Sequence, residues 1–83
     1  MAIIHQGLFL IMHRFPDHKD ALRRMFHQSD SFYTLCEDYQ KCESALKFWG
    51  QSDHETALDR RLEYLEMIKD LEAEIQQRLS GKR

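Results

Sequence analysis

The sequence predicts an all-α fold: an antiparallel helical hairpin with a shorter N-terminal helix, self-associating through its apolar faces. Three observations carry this. The second half is rich in Glu, Lys, Leu, Arg, Gln and Ala, the strong helix formers, and the whole chain holds one proline and three glycines. Leu58, Leu62, Leu65, Ile68, Leu71, Ile75 and Leu79 recur at three or four with mostly charged or Gln positions between, a coiled-coil-like spacing. Only Gly50 to Asp53 separates this run from the apolar run before it, and short loops join antiparallel neighbours.

The first element in order is the opening MAIIHQGLFLIM, which contains no Asp, Glu, Lys or Arg. It lacks the positive start and small-residue cleavage pattern of a signal peptide. It also falls well short of the roughly 20 apolar residues of a membrane span. Residues 1–11 therefore read as an apolar tail, Leu8 to Met12 as a short apolar strand or tail, and residues 12–83 as the hairpin domain. The tail is either a real segment held by a neighbouring subunit or a start-site extension, with translation beginning at Met12.

Phe15-Pro16-Asp17 reads as a helix entrance, because proline suits the first turn and an acid suits the positive helix end. Ala21, Leu22, Met25 and Phe26 follow at helical spacing. The polar stretch His27 to Ser31 predicts a break, with Ser29 or Asp30 capping the next helix. That helix runs from about Ser31 to Phe48 on the stripe Phe32, Leu35/Cys36, Tyr39, Cys42 and Leu46, and Gly50 suits a left-handed cap. Ser52-Asp53-His54-Glu55 has the spacing of a capping box. It opens a last helix of about 26 residues, ~39 Å long. Glu74 and Arg78 form a supportive pair, and Gly81 closes the helix.

The expected core is Phe32, Leu35, Tyr39, Leu46, Leu58, Leu62, Leu65, Ile68 and Ile75. Counting outward from the loop sets Leu46 opposite Leu58, Cys42 opposite Leu62 and Tyr39 opposite Leu65. A chain of 83 residues buries a thin core. Tyr33, Phe48, Trp49, Tyr64 and Met67 add more apolar surface than one hairpin covers, which points to a dimer or higher homo-oligomer. Phe48, Trp49, Tyr64 and Met67 are the candidate interaction residues. An exposed tip at Phe48-Trp49 is a hot spot, whereas a tip folded back caps the core.

Composition narrows the chemistry. Net charge is −2 and pI near 6.2, so nothing argues for a nucleic-acid coat. Arg23-Arg24 and Arg60-Arg61 read as solvated faces balanced by Asp20, Asp59 and Glu63. Nucleic-acid or transcription-machinery association through these doublets is an alternative reading. Five histidines (His5, His13, His18, His27, His54) show no paired ligand spacing, so no metal or cofactor is expected. Cys36 and Cys42, six apart on one helix, rise ~9 Å from each other, beyond the reach of a disulfide. Two such thiols suit a reducing compartment, the cytoplasm. They read as small hydrophobes, with a redox-responsive role as the alternative. No glycine-rich loop or evident concavity supports catalysis, so the chain does not read as an enzyme.

The run from Phe15 to Leu79 resembles the YdcH-like family of short bacterial helical-hairpin proteins, a domain of unknown function. The residues that carry the likeness are Phe15-Pro16-Asp17, Asp30-Ser31-Phe32, Leu35, Glu37-Asp38-Tyr39, and Leu71-Glu72-Ala73-Glu74-Ile75 with Leu79. Glu72 and Ala73 depart from the family's Leu-Lys-Asp-Glu-Ile run. The resemblance implies a cytoplasmic, often self-associating hairpin with no established activity, and members that begin near the Phe-Pro step. The expected function is that of a self-associating adaptor or regulator of protein–protein interaction.

Overall fold

The computed structural model describes residues 5–81, and among these every regular element is helical. They are α1 (Gln6–Arg14), a 3-10 turn (Pro16–His18), α2 (Lys19–Gln28), α3 (Asp30–Gly50) and α4 (Ala57–Leu79). The molecule is 22 Å thick along its shortest axis, about two helix diameters, so every helix keeps a solvent face.

From Gln6 the opening segment is a helix, where a strand or loose tail was expected; residues 1–4 of the expected tail lie outside the described residues. His5 caps it: its Nδ1 accepts from the Gly7 and Leu8 N–H groups at 3.1 and 3.4 Å. Gly7, Leu8 and Ile11 are buried, and α1 packs on α2 and α3 of its own chain. No neighbouring subunit is needed to hold it, and a division at residue 12 falls inside α1. Two features of Gly7 and His5 make this possible. A β-carbon at Gly7 would overlap the carbonyl group of Cys36, so only glycine lets the two backbones approach this closely. The His5 ring also stacks edge-on against Phe26 and Tyr33, at 5.2 and 5.1 Å, tying the start of α1 to both neighbours.

Pro16 opens the 3-10 turn and Asp17 sits in its first turn. Ser29 caps α3 in extended backbone, its Oγ accepting from the Phe32 N–H at 3.2 Å. Ser29→Ala removes that acceptor and costs about 1 kcal/mol. Thermal unfolding followed by circular dichroism checks this, and an unchanged midpoint contradicts the cap.

Gly50 is not a left-handed cap. It is the last residue of α3, and Gly81 (φ 73°) is the one described glycine with positive φ. The capping box does not form either. Ser52 Oγ accepts from the His54 N–H at 3.1 Å, His54 Nδ1 accepts from the Thr56 N–H at 3.2 Å, and α4 begins only at Ala57. These local bonds satisfy the same groups without starting a helix. The connection therefore runs over 51–56, longer than the sequence suggests.

The longer connection slides α4 along α3. Cys42 Sγ lies 4.0 Å from Met67 Sδ, where Leu62 was expected. Tyr39 Oη donates to Glu72 at 2.8 Å, where Leu65 was expected. Arg78 donates to Ser31 Oγ at 3.1 Å. The face that α4 turns inward carries Ala57, Tyr64, Ile68, Leu71 and Ile75. Of the expected core, Phe32, Leu35, Tyr39, Ile68 and Ile75 are buried and Leu46 is half-buried. Leu58, Leu62 and Leu65 are exposed, which corrects their assignment to the core. The reason is geometric. At about 100° per residue, Tyr64, Ile68, Leu71 and Ile75 fall within about 40° of Ala57 around α4, whereas Leu58, Leu62 and Leu65 lie about 80–140° round from it.

Candidate functional site

The surface with most to explain is the outer row of α4. Leu58, Leu62 and Leu65 are 61%, 53% and 42% exposed, and their spacing places them on one side of the helix. Single exposed leucines are ordinary; three in a row on one helix face are not. The contacts of α1 lie elsewhere: it packs on α2 and α3, with Gly7 against Cys36, and reaches α4 where Arg14 donates to Glu72 Oε2 at 3.0 Å. Beyond that level, toward the 51–56 connection, the leucine row has no helix over it among the described residues.

The four candidate interaction residues do not form one patch. Tyr64 and Met67 line a groove of about 560 Å³ with Cys42 and Leu71, rimmed by Asp38, Lys41, Asp70 and Glu74. Met67 is exposed and Tyr64 half-buried. Phe48 is 63% exposed at the end of α3. Trp49 is half-buried and folds back, edge-on to Phe48 at 5.0 Å and to His54 at 6.3 Å. The tip is thus split: one ring faces solvent and the other covers the connection.

Glu72 takes both the Tyr39 hydroxyl and the Arg14 guanidinium on one oxygen, Oε2. This joins α1, α3 and α4 at a half-buried carboxylate. Burial first, then the Glu72 hydrogen bond and its charge, push the Tyr39 hydroxyl well above its ordinary range. Cys36 is fully buried and its thiol is pushed up to about 12 by burial. Burial, then Asp38 and Glu43, also raise Cys42. A thiol held protonated is a weak nucleophile, so these side chains act as packing groups at neutral pH.

All three groups hold their protons more tightly folded than unfolded. The unfolded chain loses its protons first as pH rises, so the contribution of Cys36 is intact below about pH 9 and declines between there and about pH 12, and Tyr39 and Cys42 act in the same direction. The urea midpoint is expected to be lower at pH 10.5 than at pH 8, and Cys36→Ala is expected to flatten the fall. Equal midpoints for the native chain contradict this.

The arginine doublets are partly engaged: Arg23 pairs with Asp20 at 3.1 Å and Arg60 with Glu63 at 2.9 Å. His5, His13, His27 and His54 each lie against an aromatic ring. Among the described residues no three His, Cys, Asp or Glu side chains gather as a metal site. No described helix is long and apolar enough to cross a membrane.

No family model, curated protein or solved structure matches the chain.

Proposed function

We propose that this is a cytoplasmic helical-hairpin protein of the YdcH-like kind that works by packing helix faces, associating with itself as an adaptor or regulator. The observation that carries the reading is the exposed row Leu58, Leu62 and Leu65. An amphipathic helix that turns a second apolar row to solvent has the form of a helix-recognition surface. The arginine doublets support nucleic-acid binding less well, since Arg23 and Arg60 already meet carboxylates and the net charge is −2.

The test is capture from the native cells through a C-terminal tag, wild type beside Leu58→Glu. Leu58 is exposed, so the variant is expected to fold. The wild type is expected to bring untagged copies of itself, or a recurrent partner, at near-stoichiometric yield, and the variant to lose them. A variant that keeps the same companions overturns the reading.

A further inference from the structure

The leucine row is flanked by charges that specify what covers it. Arg61 lies along one edge of the row and Glu66 along the other, five residues apart. Both are exposed, and neither makes an ion pair among the described residues. In a two-stranded helix pair the residues that flank the seam set partner and orientation. With Leu58, Leu62 and Leu65 on the seam, Arg61 and Glu66 hold the two flanking positions that meet across a parallel pair. From the self-association read above, we infer its geometry: a second copy of this chain seats on the row, its α4 parallel to the first, each Leu facing its own counterpart. Arg61 of each copy then meets Glu66 of the other, twice by symmetry.

The antiparallel alternative brings like charges together. Arg61 would face Arg61 of the second copy, and Glu66 would face Asp59. The ends of the seam are also marked. Lys69 follows Leu65 in the row, and the next position, Glu72, is occupied by Arg14 from α1. The seam is therefore three leucine layers long. That is small against the roughly 800 Å² per partner of a standard interface. The dimer forms in the micromolar range or weaker, on the order of −8 kcal/mol or less favourable.

Sedimentation of the purified full chain across concentration tests this with two variants. Leu62→Glu puts a carboxylate on the seam and is expected to leave a monomer with unchanged helicity. Glu66→Arg turns both cross-pairs repulsive and is expected to weaken the dimer about tenfold. Mixing Glu66→Arg with Arg61→Glu is expected to restore association, because both cross-pairs are then attractive. A wild-type monomer at all concentrations overturns both the self-association and its geometry. A dimer that tolerates Leu62→Glu leaves self-association standing and overturns the seam. A Glu66→Arg dimer tighter than wild type, as pairing with Asp59 requires, overturns the parallel orientation.

Discussion

Alanine in place of Gly7 destabilises the protein, although alanine is the better helix former by about 1 kcal/mol. The new β-carbon meets the carbonyl carbon and oxygen of Cys36, backbone atoms that cannot rotate aside. α1 has to retreat, and with it go the burial of Leu8 and Ile11. Each is a side chain whose full burial contributes about 1.5–3 kcal/mol. The net loss is about 2–5 kcal/mol once the propensity gain is set against it. Gly50→Ala is the control. A β-carbon there meets nothing closer than Arg61 Nε at 3.9 Å, so the same substitution is expected to be neutral or stabilising. Urea unfolding of the two variants reads the contrast. A Gly7→Ala chain more stable than wild type would mean that α1 does not lie on α3.

Phe32→Ala is expected to bring the protein to the edge of unfolding. Phe32 is fully buried at the start of α3, in the core cluster that holds Ile11 of α1, Leu22 of α2 and Ile75 of α4. The Arg78 guanidinium lies over its ring at 5.9 Å. Removing a buried phenyl ring costs about 3–5 kcal/mol, because the transfer energy is lost and the space left behind is only partly refilled. A small domain has little more than that in total. The melting midpoint is expected to fall by about 15–30 °C, or the cooperative transition to vanish. A shift of only a few degrees would show that α3 is not the centre of the core.

What the sequence revealed was mostly what neighbours along the chain decide. Pro16, Ser29 and Gly81 act on their own turn of backbone, and all three mark helix ends where local chemistry predicts. Periodicity identified both long helices for the same reason. It could not say which apolar residues of the first turns of α4 face inward, since Leu58, Leu62 and Leu65 lead into Ile68 at three and four although they lie to one side of it on the helix. The difference lay in the 51–56 connection, where Ser52 and His54 satisfy backbone groups without opening a helix. The leucines of the candidate surface were therefore visible as residues but assigned to the wrong side. α1 was hidden for another reason. Its cap is a histidine and its seat is a missing side chain, and neither leaves a pattern. The role of Glu72 was not legible in the sequence at all. In the fold, Glu72 is the acceptor for Arg14, 58 residues away, and for Tyr39.

One consequence follows from where α1 stops. It is tethered to the surface it covers, so its local concentration there is fixed by the chain, in the millimolar range expected of short connections. Dilution does not remove it. Among the described residues no helix so tethered lies over Leu58, Leu62 and Leu65. In the proposed pair their coverage follows mass action, nearly empty when the protein is scarce and filling as it accumulates. The two halves of the molecule would then obey different laws: one is saturated in every cell that makes a single copy, and the other reports how many copies there are.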